Sequence, residues 1–170
     1  MSDQYPPQNP YGQQPAPTGP GGEPPLWAPH YGISFGGAVS RFFKKYATFS
    51  GRASRSEFWW WYLANIIIGI VLGILAGIGA ATSDVRVDSV TGQTTGALSP
   101  LYWIVVVISV LWGLAILVPS LALGWRRLHD ANLPGALWII ALFVNIVGLV
   151  FGLLPSNPQG ARFDRPDGAR

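Results

Sequence analysis

The chain contains no cysteine, only two histidines and little charge of either sign. Without cysteine, disulfides and thiolate metal ligands are excluded. His30 and His129 lie far apart in sequence, so a two-imidazole metal site is not expected. Charged residues make up 11% of the chain, against about 25% in ordinary soluble proteins. That is too few to clothe a soluble surface. No nucleophile motif, paired carboxylates or ligand cluster stands out, so neither an enzyme nor a bound cofactor is expected. Residues 1–30 lack the apolar core of a signal peptide, and insertion is expected to be driven by later segments.

What the chain does have is three long apolar stretches without a charge, at 58–81, 101–123 and 137–154. At 1.5 Å per residue, roughly 20 residues cross the ~30 Å hydrocarbon core of a bilayer. The first two stretches exceed that and the third barely reaches it. Charge is unevenly placed around them. Residues 30–57 carry Arg41, Lys44, Lys45, Arg52 and Arg55 against Glu57, a net +4. The loop 82–100 holds Asp84, Arg86 and Asp88, a net −1, and the loop 124–136 holds Arg126, Arg127 and Asp130, a net +1. By the positive-inside rule the two basic segments face the cytoplasm and the acidic loop faces out. Three crossings then place the C-terminus outside. Basic residues beside apolar spans suit anionic lipid headgroups better than nucleic acid.

Local signals refine this reading. Residues 1–30 contain nine prolines and read as a disordered, partly polyproline-II tail. Its P-x-x-P matches at Pro7–Pro10 and Pro17–Pro20 are nearly automatic in such a composition. Phe35, Val39, Phe42 and Tyr46 recur at helical spacing, with Arg41, Lys44 and Lys45 mostly off that stripe. This suits either a helix lying among headgroups or one packed on the protein's own helices. Ser54-Arg55-Ser56-Glu57 fits a capping box, and Trp59, Trp60 and Trp61 follow where an aromatic belt belongs. Asn65, Gly69, Gly73 and Gly77 form a small-residue ridge for helix packing. Asn145, Gly148 and Gly152 form a second such set, with Asn65 a candidate partner for the costly mid-membrane amide of Asn145. Pro119 inside the second stretch frees the Ala115 carbonyl and is expected to kink the helix.

The one charged constellation is Arg52, Arg55 and Glu57 before the first stretch with Arg126, Arg127, His129 and Asp130 after the second. If those stretches are antiparallel neighbours, these residues meet at one membrane face. A network of Arg52, Arg55, Arg126 and Arg127 with Glu57 and Asp130 would pin the helix ends or hold an anionic headgroup, because guanidinium matches carboxylate and phosphate bidentately. His129 and Asp130, being adjacent on a helix, do not form a dyad.

These residues carry a family likeness. Phe49-Ser50-Gly51-Arg52-Ala53-Ser54-Arg55-Ser56-Glu57-Phe58-Trp59-Trp60 resembles the F-x-G-R-x-S-R-x-E-aromatic-W signature of domain-of-unknown-function family 805. Arg126-Arg127-Leu128-His129-Asp130 matches its second signature, R-R-L-H-D. The following residues 131–138 depart from the family's Gly/Ser-rich turn and Trp pair, keeping only Trp138. Pro158 with Arg162-Phe163 resembles a degraded C-terminal element of the family. The resemblance covers residues 34–166 and implies a small bacterial inner-membrane protein. It implies no activity.

The expected fold is therefore an all-α integral membrane protein of about three transmembrane helices, with a short juxtamembrane amphipathic helix. The disordered tail occupies 1–30, the membrane domain 31–166 and a C-terminal tail 167–170. Expected partners are the lipid bilayer with its anionic headgroups, and a second copy or another membrane protein. The leading functional expectation is an interaction or scaffold module. A transporter or channel component acting as an oligomer is the alternative, and a lipid-phosphate enzyme ranks behind both.

Overall fold

The computed structural model describes residues 23–164. The P-x-x-P matches, the tail over 1–22 and the tail over 167–170 lie outside the described residues. Five α-helices run in order: α1 (Phe35–Lys44), α2 (Arg55–Ala81), α3 (Pro100–Asp130), α4 (Trp138–Phe143) and α5 (Asn145–Leu153). Between α2 and α3 a two-stranded antiparallel hairpin pairs Arg86 with Thr95 and Val87 with Thr94, a small β addition to the expected all-α fold.

The two long helices begin as their sequences dictate. Ser54 Oγ accepts the Glu57 N–H at 3.1 Å and Glu57 Oε2 accepts the Ser54 N–H at 2.8 Å, closing the capping box. Ser99 caps α3 ahead of Pro100 in its first turn. At its other end α3 stops on Asn132, whose φ is +61°. The Leu133 N–H there returns to the Leu128 carbonyl at 2.9 Å, a six-to-one closure of the last turn. With 27 and 31 residues, α2 and α3 are about 40 and 46 Å long, and both are apolar enough to cross a membrane.

Helices α2 and α3 pair as an antiparallel hairpin. They approach most closely beside the connecting loop, where a Cβ on Gly79 would come within 2.7 Å of the Tyr102 backbone nitrogen. Ser99 Oγ donates to the Gly79 carbonyl there at 2.6 Å. At the opposite end α1 lies across α2. The Phe42 ring stacks on Trp61 with centroids 3.4 Å apart, and Phe42, Ala53, Phe58, Trp61, Ala64 and Leu123 form the buried core. Burying Phe42 contributes about 1.5–3 kcal/mol. Of the two readings of α1, packing on the protein's own helices is the one the structure adopts. Trp61 accordingly points into the core and not into an aromatic belt, while Trp60 Nε1 donates to the Ile33 carbonyl at 2.9 Å.

The third apolar stretch differs from expectation. It is broken at Val144, whose φ and ψ are −129° and 89°, into helices of six and nine residues. These span only about 9 and 13 Å, so neither matches a ~30 Å core. They fold back on each other: Trp138 at the start of α4 lies 6.1 Å from Phe151 near the end of α5. Arg127 donates to the Leu154 carbonyl and the Asn157 N–H donates to the Asp130 carbonyl. The segment thus enters and leaves at the same end of the molecule. The physical cause is glycine placement. Trp138 fills the space a side chain on Gly124 would need, and Gly152 sits against Phe58. Both ends of the stretch are thereby docked beside the ends of α2 and α3.

The predicted packing residues divide. Gly148 lies against Ala141 and Trp138, and Gly152 against Phe58, so both pack within the chain. A side chain on Gly69, Gly73 or Gly77 would meet nothing within 4 Å. The ridge on α2 is not an internal packing surface. Asn65 Nδ2 donates to the Trp61 carbonyl one turn back at 3.1 Å, not to Asn145, which is exposed at the tip of the α4–α5 hairpin.

Pro119 lies inside an unbroken α3. The Ala115 carbonyl that it deprives of a helical partner is taken up by the Tyr46 hydroxyl at 2.7 Å. Tyr46→Phe should therefore lower stability by about 1 kcal/mol, the usual worth of such a bond. The loss should shrink when Pro119→Ala restores the helical donor. Thermal unfolding of the four proteins in detergent measures this cycle, and equal Tyr46→Phe losses in both backgrounds would refute the pairing.

Candidate functional site: a buried charge layer at one end of the helix pair

The sequence places ionisable residues immediately before α2 and at the end of α3, and antiparallel pairing brings those ends together. They do not merge into one network. Two form, each around a buried carboxylate.

The first surrounds Glu57, 3% exposed. Its Oε1 accepts Arg41 Nε at 2.8 Å and lies 3.6 Å from Lys45 Nζ, while Oε2 serves the cap. Arg41 and Lys45 sit four apart, one turn along the chain, and so share a face. Arg41 also donates to the Pro24, Pro25 and Ala28 carbonyls at 2.9, 3.1 and 2.7 Å. Arg126, equally buried, comes within electrostatic reach of Glu57, Arg41 and Lys45. Its Nε donates to its own helix at Ala122, and its Nη2 has no partner; neither does Lys45 Nζ.

The second surrounds Asp130, which has no exposed surface. Arg127 Nη1 donates to its Oδ2 at 2.6 Å, the Tyr31 hydroxyl to its Oδ1 at 2.8 Å, and Ser156 Oγ to its Oδ2 at 2.5 Å. Arg127 reaches on to the Gly152 and Leu154 carbonyls and so holds the end of α5. Arg52 stands 3.9 Å from Asp130 and makes a two-point pair with Asp164, at 2.9 and 2.6 Å. Burial alone would lower the Arg52 pKa, but the hydrogen bond and charge of Asp164 raise it. Tyr31 is pushed up to about 12, first by burial and then by the Asp130 charge.

The remaining predicted residues are structural in placement. Arg55 is exposed and donates to the Leu154 carbonyl at 2.8 Å. His129 Nδ1 meets the Gly51 carbonyl at 3.0 Å and its ring stacks on Phe163 at 4.0 Å. Gly51 has to be glycine: its φ is +79°, and the Trp27 carbonyl occupies the position of a Cβ. These contacts bind the segment 24–33, which the sequence assigns largely to a disordered tail, onto the helix ends. Arg52 N–H donates to the Trp27 carbonyl at 3.1 Å and Ser54 Oγ to the His30 carbonyl at 2.7 Å. Proline-rich backbone offers carbonyls without N–H groups, which suits a face crowded with donors.

Sequence reasoning missed Arg41, Lys45, Tyr31, Ser156 and Asp164. The spacing of Arg41 and Lys45 was the available signal for two of them. Tyr31, Ser156 and Asp164 reach the site through irregular segments, for which no periodicity speaks.

Long helices with exposed apolar flanks, closed at one end by buried ion pairs, define a helical membrane protein. The chain belongs to the family described as protein of unknown function (DUF805), whose family model matches residues 46–165. It is 34% identical over 105 residues to inner membrane protein YhaI of Escherichia coli (strain K12), covering 62% of this chain and 70% of that one. To inner membrane protein YhaH of the same strain it is 29% identical over 125 residues, covering 71% and 87%. No solved structure matches.

Two outcomes follow from this geometry. Asp130→Asn leaves Arg127 buried without its counter-charge and should cost about 3–5 kcal/mol. Arg127→Gln and Asp130→Asn should couple strongly, whereas Glu57→Gln and Arg127→Gln, in separate networks, should add. Strong coupling between Glu57 and Arg127 in thermal unfolding would contradict the division.

The second outcome concerns pH. Burial lowers the Lys45 ammonium to about 7; the Glu57 charge opposes this, and those of Arg126 and Arg41 add to it. Between pH about 7 and the ordinary value of 10.5 the unfolded chain binds more protons at this site than the folded one. Stability therefore rises with pH across that window. Lys45→Met should flatten the rise in thermal midpoint from pH 7 to 10, and an unchanged slope would remove Lys45 as its source.

Proposed function

We propose that the chain is an interaction or scaffold module of the bacterial cytoplasmic membrane. In this reading α2 and α3 cross the bilayer, α4–α5 dips into the inner leaflet, and the charge layer faces the cytoplasm against anionic headgroups. The N-terminus and residues 154–164 lie on that same side. One observation carries the reading. The buried cations and the exposed Lys44, Arg55 and Arg162 all lie at one end of the α2–α3 pair, while the loop at the other end bears Asp84, Arg86 and Asp88. Such asymmetry is what orients helices in a membrane, and cations at headgroup depth attract anionic lipid.

The unfilled ridge of Gly69, Gly73 and Gly77 favours a second element of the reading. Small residues at four-residue spacing admit close helix approach, and among the described residues nothing occupies them. A second copy or another membrane protein would do so. An oligomeric transporter is supported less well, because neither long apolar stretch carries a charge at mid-depth.

Topology is the direct test, and the cysteine-free chain suits it. In intact cells Ser89→Cys should react with a membrane-impermeant thiol reagent, and Ser40→Cys should not. Ala161→Cys, exposed beyond α5, should behave like Ser40→Cys. Labelling of Ala161→Cys from outside would establish a third crossing and overturn the dipping hairpin; labelling of Ser40→Cys would reverse the orientation.

A further inference from the structure

The Glu57 network holds more positive charge than it can neutralise. Arg41, Lys45 and Arg126 converge on one carboxylate, and all four groups are at least nine-tenths buried. Among the described residues Lys45 Nζ, 3.6 Å from the shared Glu57 carboxylate, and Arg126 Nη2 have no hydrogen-bond acceptor. Buried cations that outnumber their counter-charge are costly, and orphaned buried donors call for an occupant. Arg41 gives its Nε to Glu57 and its two terminal nitrogens to neutral oxygens, the carbonyls of Pro24, Pro25 and Ala28. The segment supplying them is an irregular strap leading out of the proline-rich N-terminus. Pro24 and Pro25 have no N–H with which to secure themselves.

We propose that Arg41, Lys45 and Arg126 form a binding site for a phosphate monoester, over which the strap at Pro24–Ala28 closes as a displaceable cover. With Lys45 protonated, three cations against Glu57 leave an excess of two positive charges, and a phosphate monoester carries about −1.5 to −2 at neutral pH. Its oxygens would take the places of the strap carbonyls on Arg41 and supply acceptors for Lys45 Nζ and Arg126 Nη2. Phosphate adds bidentate geometry and an opposite charge that neutral carbonyls do not supply to a guanidinium, so the exchange favours the ligand. A phosphodiester headgroup, with one charge, would leave the site half neutralised. The inference rests on the reading of this end as the headgroup-facing end and narrows it to one chemistry and three residues. The phosphate is either that of a lipid or a free one.

The experiment is thermal unfolding of the full chain in a non-ionic detergent, followed by tryptophan fluorescence. The probes are inorganic phosphate against chloride at matched ionic strength, and phosphatidic acid against phosphatidylglycerol doped into the micelles. The expected result is a saturable rise in melting temperature with a monoester phosphate, with phosphatidylglycerol at least tenfold weaker. A rise with both inorganic phosphate and phosphatidic acid identifies the phosphate group alone as the ligand. A rise with phosphatidic acid only identifies a lipid. Lys45→Met, which removes one of three buried cations while Arg41 keeps Glu57 paired at 2.8 Å and so should fold, is expected to raise the half-saturating concentration tenfold or more. Arg126→Gln should do the same, and Lys44→Gln, one residue away but exposed, should not. Absence of a saturable rise, or a rise undiminished in both Lys45→Met and Arg126→Gln, overturns the site. The headgroup reading is tested separately by binding to phosphatidylglycerol vesicles against phosphatidylcholine vesicles. A chain that ignores both inorganic phosphate and phosphatidic acid but still prefers the anionic vesicles loses the site and keeps the broader reading.

Discussion

Four cationic side chains and two carboxylates lie out of water at one end of a pair of apolar helices, and the rest of the structure is arranged around keeping them paired. Desolvating such groups costs several kcal/mol each unless partners are supplied. The partners come from every segment that reaches this end: the strap through its carbonyls and Tyr31, α1 through Arg41 and Lys45, and the loop before α2 through Ser54. The chain beyond α5 adds Leu154, Ser156 and Asp164. None of these segments has an extensive apolar core of its own. Their positions follow from hydrogen bonds donated or accepted at the charge layer, each segment satisfying part of it.

That constraint also accounts for the fate of the third apolar stretch. Hydropathy describes residues 137–154 as well as a spanning helix would require. What hydropathy does not contain is Arg127, which draws the Leu154 carbonyl back to the level of Asp130, or Gly124, whose missing side chain lets Trp138 dock against α3. With both ends tied to one level, the 18 residues turn back on themselves. The break at Val144 is the geometric consequence. A periodicity argument sees each segment alone, and here the deciding interactions join it to a helix that ended before it began.

Much else was legible because it was local. The capping box at Ser54 and Glu57, the start of α3 at Ser99-Pro100 and the carbonyl freed by Pro119 each involve residues within a turn of one another, and each appears as read. The meeting of the ends of α2 and α3 followed from simple antiparallel pairing. The partition of charges did not. Sequence spacing suggested one network joining Glu57 to the α3 arginines, whereas Glu57 binds Arg41 and Lys45 while Asp130 binds Arg127. Arg41 and Lys45 looked like the solvated face of an amphipathic helix. They are buried because α1 turns that face toward α2, where the cap glutamate offers a counter-charge.

The glycines make the same distinction between local and assembled information. Gly69, Gly73 and Gly77 have the regular spacing of a packing ridge and meet nothing in the chain, while Gly79, Gly124 and Gly135 have no pattern and are closely covered by Tyr102, Trp138 and Trp125. Internal packing in this fold therefore fits glycines one by one to an aromatic residue or a backbone crossing, the spaced pair Gly148 and Gly152 included. A regular ridge is suited to a straight helix of equal length, and within this chain α2 already has its long partner, α3, on another face. The surface left over adjoins the exposed apolar residues of α2. Among the described residues nothing lies against that ridge, so the helix that carries the ion layer at one end carries an open small-residue face along its length.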